Sequence, residues 1–296
     1  VVGHLAIAVV CGFAELLLTM DRVLRIAQHV QAAADEPTGA LTPEPTAALS
    51  GAELADDDVV VCCAVRTGVT RAKKGPLKDT PCEDMLVPLF KAIIERTKID
   101  PKKIGDAQIG NVLQPTAGGA TSRMSMFLAD LPYDIPVAGV NRQCASSLQA
   151  AANIAASIKT GVIDVGIAGG VESMSMYPMT SQTVMSKTSP NVEKHELAAA
   201  CLIPMGVTSE NVAAKYGITR EVQDRMAVES NAKAVAAQKN GWFDSEIVPF
   251  TAMVKQKDGS VKPVTVAADD GPRASTTMET LAKLKPVFKA GGSTTA

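Results

Sequence analysis

The chain has 296 residues, of which 46% are hydrophobic but only 3% aromatic, so its core must be built from Ala, Val, Ile, Leu and Met. That length suits one large domain or two smaller ones. A formal net charge of −2 with no basic stripe gives no support to nucleic-acid binding. The six cysteines, at positions 11, 62, 63, 82, 144 and 201, form no C-x-x-C pair and share no metal-like spacing with histidine. No metal site is expected, and the set reads as reduced thiols in an intracellular protein.

In chain order, residues 1–58 stand apart as an amino-terminal extension. Leu5 to Met20 is apolar, but Glu15 interrupts it, and a membrane span needs about 20 mainly apolar residues. A secretory signal would begin with a basic stretch, which Val1-Val2-Gly3-His4 lacks. The chain opens on Val, so Met20 is an alternative start. Gln31 to Asp58 is rich in Ala, Pro, Thr and acids and reads as a flexible linker.

The body then alternates strands and helices. Val59 to Val65 is a continuous apolar run, as for a strand buried on both faces. Glu83 to Thr97 has a helical pattern, and Asp100-Pro101 looks like an N-cap followed by proline at the first helical position. Ile109 to Leu113 reads as a strand, Ser122 to Leu128 as a short helix, Val137 to Val140 as a strand end and Ile163 to Ala168 as another strand. Such alternation implies parallel pairing with right-handed crossovers. Further on, Thr219 to Asn240 is the clearest helix, with Thr219 as N-cap and Gly241 just past its end. Glu246 to Val254 and Val261 to Ala267 look like a hairpin turning at Lys257-Asp258-Gly259.

The most informative stretch is Asn141-Arg142-Gln143-Cys144-Ala145-Ser146-Ser147-Leu148. The residues from Ala145 to Thr160 predict a helix carrying Leu148, Ala151, Ala152, Ala155 and Ile158 on one face, ended by Gly161. Cys144 is thereby placed at the helix's first turn, where unpaired amides and the positive end of the helix dipole favour a thiolate. The plainer reading is a small buried hydrophobe.

Four ordered blocks extend beyond this cysteine. Val140-Asn141-Arg142-Gln143-Cys144-Ala145-Ser146-Ser147-Leu148-Gln149-Ala150 resembles the acyl-enzyme cysteine signature of thiolases. Asp164 to Ser175, Cys201 to Ala213 and Leu281 to Phe288 resemble later blocks of that family. Together, from about Asp58 to Ala296, they resemble the front part of a 3-ketoacyl-CoA thiolase of the peroxisomal type, an acyltransferase of fatty acid β-oxidation. The resemblance implies an α/β fold, a thiolase-like layered α/β/α half at 59–178. An inserted loop domain at 179–290 would bind coenzyme A, and 291–296 would begin the return to the first half. A second, carboxy-terminal half would lie outside this sequence.

By the same resemblance Cys144 is the acyl-thioester nucleophile. Arg273, in Asp269-Asp270-Gly271-Pro272-Arg273, is the candidate for coenzyme A phosphate or adenine, since its planar fork suits phosphate. Otherwise it is a solvated turn residue. Met205 is a candidate for the pantetheine channel; Pro204 stands where some thiolases carry histidine. Met174, Met176 and Met179 border an acyl pocket or simply pack. His195 reads as exposed. Coenzyme A enters as co-substrate, with no permanent cofactor.

Arg22-Val23, five residues, then His29-Val30 resembles an amino-terminal peroxisomal address, read by an import receptor. Its alternative is an amphipathic helix carrying Val23, Ile26, Ala27 and Val30. Expected partners are 3-ketoacyl-CoA, coenzyme A, that receptor and, for the complete protein, a second copy in a homodimer.

Thiolases draw their histidine and second cysteine from segments that do not occur here; the histidines are His4, His29 and His195. The expectation is therefore that these 296 residues alone do not sustain thiolysis. The rival readings are an acetoacetyl-CoA-forming thiolase, a non-catalytic chain that binds coenzyme A or pairs with a full-length thiolase, and a redox-sensing thiol protein using Cys144.

Overall fold

The structure is a computed structural model, and it describes residues 6–12, 58–179 and 188–295. Met20, Arg22-Val23 and His29-Val30 lie outside the described residues. Two compact units are present: 58–66 and 81–172 together with strand 6–12, and 67–80 together with 173–295. The first unit closes at Glu172, and 67–80 groups with the later residues. The backbone amides explain the second point: Val69 N donates to Asp269 Oδ1 at 2.6 Å and Arg71 N to Asp270 Oδ1 at 2.7 Å, while Asp270 N donates to Val69 O at 3.0 Å.

The first unit is a five-stranded sheet in the order β2-β1-β5-β3-β4. Its strands are β1 (Ala6–Gly12), β2 (Val59–Arg66), β3 (Asp106–Gly110), β4 (Val137–Val140) and β5 (Val165–Gly170). β3 runs parallel to both β4 and β5, while β1 is antiparallel to β2 and to β5. The sequence reading left 1–58 outside the fold; the structure instead seats Ala6–Gly12 inside the sheet. That seven-residue apolar run satisfies its backbone groups on both sides. β2 is correspondingly an edge strand, which is why Val61 is 60% exposed and Cys62 exposed, contrary to a strand buried on both faces. β3 starts at Asp106 and stops at Gly110, so 111–113 is loop rather than strand.

Three helices serve this sheet: α1 (Cys82–Thr97), α2 (Gly119–Leu128) and α3 (Ser146–Lys159). α1 buries Met85, Leu86, Leu89, Phe90 and Ile93. α3 buries Ser146, Ala150, Ile154 and Ala155, and packs with Val59 and Ala168. Of the predicted face, Ala155 is buried and Ala151 and Ile158 pack against the same cluster, whereas Leu148 is 55% exposed and the buried stripe extends to 146, 150 and 154. Small residues beneath the helix let this stripe approach the sheet. A Cβ on Gly166 would meet Ile154 Cγ2 at 2.7 Å, and one on Gly110 would meet Ser147 N at 2.5 Å. The helix start therefore sinks onto the sheet along its serine side. Thr160 caps it and Gly161 follows at φ 72°.

The second unit holds α4 (Pro190–Glu193), α5 (Glu196–Ala200), α6 (Met205–Tyr216), α7 (Arg220–Lys239), the hairpin β6 (Phe250–Lys255) and β7 (Val261–Val266), and α8 (Met278–Ala282). Thr219 caps α7 through Val222 N at 3.4 Å and Gly241 follows at φ 71°, as the sequence predicts. The hairpin turns at Gly259, φ 84°, with Asp258 Oδ1 accepting from Ser260 N at 2.9 Å. Arg220 Nε donates to both oxygens of buried Asp224 at 2.8 Å, and its other nitrogens donate to the carbonyls of Leu281 and Leu284. Among the described residues no helix is long and apolar enough to cross a membrane.

Candidate active site

Cys144 lies on a tight turn between β4 and α3. The predicted helix start was one residue early: Ser146 is the first helical residue and Ala145 the N-cap, so Cys144 precedes the cap and is exposed. Two turn hydrogen bonds close the chain, from Ala145 N to Arg142 O and from Ser146 N to Gln143 O, both at 3.1 Å. The buried Ser146 hydroxyl ties the turn further. Its oxygen accepts from Arg142 N at 3.0 Å and its O–H donates to Gln143 O at 2.5 Å. Gln143 sits in the left-handed region at φ 49°, where a non-glycine residue is strained.

Two glycines let the cysteine-bearing helix approach. Besides Gly110 at the end of β3, a Cβ on Gly170 at the end of β5 would lie 2.0 Å from Ser147 Oγ. Cys144 is thereby held beyond the carboxyl ends of the parallel strands, where open α/β sheets place their ligands.

The loop after β3 lies under the same turn. Asn111 N donates to Val140 O at 3.0 Å, and Asn111 Oδ1 accepts from Gln114 N at 2.7 Å. Asn141 Nδ2 donates to Val112 O at 3.2 Å, and Asn141 Oδ1 accepts from Gln143 N at 3.0 Å. Glu172 completes the set: its carboxylate accepts from Val112 N at 2.9 Å and from Asn111 Nδ2 at 3.2 Å. Burial pushes the Glu172 carboxyl above its ordinary value, opposed by the amides of Val112 and Leu113 and by Asn111. Thr116, Ala117 and Gly118 then follow at φ 56°, 51° and 67°, and a Cβ on Gly139 would meet Ala117 O at 2.5 Å. Buried Gln114 accepts from Thr121 Oγ1 at 2.9 Å while its Nε2 makes no hydrogen bond. Sequence reasoning missed Glu172, Asn111 and Gln143. The glutamate's place beside a Gly-Gly strand end was the available signal.

Met205 and Arg273 belong to the second unit. Met205 opens α6 and is 63% exposed. Its neighbour Gly206 must be glycine, because a Cβ there would lie 2.3 Å from the Phe288 ring. The 201–213 and 281–288 blocks thus pack on each other. Arg273 is exposed, and its backbone amide donates to Asn231 Oδ1 at 3.1 Å. Met176 and Met179 are 45% and 58% exposed. His195 is exposed, as expected, but caps α5 through Nδ1, accepting from Ala198 N at 3.4 Å. Among the described residues no cluster of His, Cys, Asp and Glu is arranged to hold a metal ion.

A cysteine on a strand–turn–helix, raised on two strand-end glycines, accords with one family model. The description "Thiolase, N-terminal domain" matches residues 59–296. The chain belongs to the thiolase family. Its sequence is 47% identical to the Arabidopsis thaliana 3-ketoacyl-CoA thiolase 2, peroxisomal, over 85% of this chain and 54% of that protein. It is 46% identical to the Homo sapiens 3-ketoacyl-CoA thiolase, peroxisomal, over 94% of this chain and 64% of that one, so the likeness continues ahead of Val59. The dimeric peroxisomal thiolase of Saccharomyces cerevisiae superimposes with a TM-score of 0.69 at 37% identity, covering 79% of this chain and 58% of that one. The Bacillus anthracis acetyl-CoA acetyltransferase does so with a TM-score of 0.65 at 32% identity, covering 78% and 59%. The fold is thus the thiolase-like layered α/β plan. The chain spans between about half and two thirds of the length of these thiolase relatives.

Proposed function

We propose that this chain supplies the acyl-accepting cysteine of a peroxisomal 3-ketoacyl-CoA thiolase, an acetyl-CoA C-acyltransferase of fatty acid β-oxidation. The single observation that carries this is Cys144, exposed on a strained turn ahead of α3, in a chain 46–47% identical to proteins of that name. Among the solved structures, the 37% shared with the peroxisomal thiolase exceeds the 32% shared with the acetyl-CoA acetyltransferase, which favours the degradative reading over the acetoacetyl-CoA-forming one.

In this scheme the Cys144 thiolate attacks the 3-keto carbonyl carbon of a 3-ketoacyl-CoA. A carbon–sulfur bond forms and the bond between carbons 2 and 3 breaks. Acetyl-CoA leaves as an enolate that takes up a proton, and the thiol of a second coenzyme A then displaces the acyl group from sulfur. Arg273 is assigned to a coenzyme A phosphate, for which its exposed fork is suited, and Met205 to the pantetheine arm. His195, the histidine among the described residues, is engaged in capping α5. Proton transfer at the acetyl carbon is therefore assigned to groups other than those described around Cys144. A homodimer is the proposed assembly, supported by exposed Met124, Phe127 and Leu128 on α2, the helix that packs on β4. The peroxisome is the proposed compartment.

The test is acyl capture. Purified chain incubated with acetyl-CoA, whose thioester exchanges without carbon–carbon cleavage, should carry an acetyl group on the Cys144 peptide by mass spectrometry, lost in Cys144→Ala and returned to free coenzyme A. Acylation of the other exposed thiols, Cys62 or Cys201, in place of Cys144 would overturn the assignment.

A further inference from the structure

Gln143 is held in the left-handed region with no glycine to make that inexpensive, so something must offset the strain. Its amide is bonded to Asn141 Oδ1 at 3.0 Å. Asn141 is exposed, and its side chain is oriented by one further bond, from Nδ2 to Val112 O at 3.2 Å. Glu172 Oε2 receives the Val112 amide at 2.9 Å, and the carboxylate also takes the amide of Leu113, which shares its peptide unit with the Val112 carbonyl. The opposite oxygen takes Asn111 Nδ2 at 3.2 Å, and Asn111 Nδ2 also reaches Val171 O, the carbonyl next to Glu172 itself. The path is continuous: carboxylate, the 112–113 peptide, Asn141, Gln143, cysteine.

We propose that Glu172 is a positioning residue for Cys144, acting through Val112 and Asn141 to hold Gln143 in the left-handed conformation that presents the sulfur. This rests on the reading of Cys144 as the nucleophile, but the coupling itself stands on the geometry alone. A charged acceptor suits the task, because it serves the amides of Val112 and Leu113 and Asn111 Nδ2 at once, and ion-assisted bonds are the stronger ones. A glutamine there would turn one acceptor into a donor facing a donor. Without the carboxylate, Gln143 relaxes to negative φ and Cys144 turns with it.

The experiment measures iodoacetamide alkylation of each cysteine separately, by peptide mass spectrometry, on the full chain. Cys62 and Cys201 are exposed controls, and buried Cys82 reports unfolding. Glu172→Ala should slow Cys144 roughly five- to tenfold, the population change expected when a left-handed non-glycine residue loses its support. Cys62 and Cys201 should keep their rates and Cys82 its protection. Adding Gln143→Gly should restore the Cys144 rate, since glycine adopts that conformation without strain. A Cys144 rate in Glu172→Ala equal to wild type, or a loss that Gln143→Gly leaves in place, would refute the coupling. Should Glu172→Ala expose Cys82, the exposed Asn141→Ala variant carries the same pair of tests. Acyl capture is not used, so a chain that never forms the thioester still decides this question.

Discussion

Gly110 and Gly170 show how little room the site allows. At Gly110 an added methyl would meet backbone, 2.5 Å from Ser147 N and 2.6 Å from Ser146 C. At Gly170 it would meet mainly the Ser147 hydroxyl at 2.0 Å, with Gly110 O at 3.0 Å. A hydroxyl can rotate away, whereas the first turn of α3 cannot move without moving Cys144. Gly110→Ala should therefore cost on the order of 1–3 kcal/mol, the range for forced overpacking, and Gly170→Ala measurably less. Chemical denaturation midpoints of the two variants check this, and equal losses would show that the backbone contact is not the deciding one. The cysteine itself was legible from an apolar run, a polar turn and an alanine-rich helix. Its supports were not, because a positive φ at glutamine leaves no mark in sequence and Glu172 acts from a separate segment.

Between elements, Glu210 on α6 does for the 289–294 loop what a cap does for a helix. It accepts from Ser293 N at 2.9 Å and from Thr294 N at 2.7 Å, and Gly292 is constrained by it, since a Cβ there would lie 2.3 Å from Glu210 Oε1. The Ser293 amide first, and the Thr294 amide with it, hold the Glu210 carboxyl below its ordinary value of 4.5. A depressed carboxyl stabilises the fold above that ordinary value, and the contribution is lost as pH falls through the folded value. The stability gap between wild type and Glu210→Gln should thus be open at neutral pH and close on acidification below 4.5, as read by denaturation midpoints across pH. A gap that stayed constant into acid would remove the carboxylate from the account. Helices and the hairpin in this region were legible from caps and turn glycines. The contacts that join 201–213 to 281–294 needed coordinates, because they pair residues about 80 positions apart.

For the whole molecule, the proposed compartment makes a prediction of its own. Likeness to the human peroxisomal protein extends ahead of Val59, where Arg22-Val23 and His29-Val30 stand. The full chain fused at its carboxyl end to a fluorescent protein should gather in peroxisomes, and an Arg22→Ala, His29→Ala double variant should spread through the cytosol. Diffuse fluorescence from the unaltered fusion would dismiss the address. The α/β plan and strand alternation were legible from hydrophobic runs alone. The place of Ala6–Gly12 was not: an apolar stretch of seven residues has many uses, and only its distant partners choose among them.

Those partners also set a timetable. Ala6–Gly12 precedes both its partners along the chain, Ala8 pairing with Ala64 on one side and Ala168 on the other. At roughly 5–20 residues per second, its second edge waits on the order of ten seconds for a neighbour. Through that interval the nascent chain offers an unpaired apolar ribbon with only a two-stranded pairing within reach, too little to stand alone in water. A strand made ahead of both its neighbours is thus fully housed only when the later of them, Val165–Gly170, has followed it out.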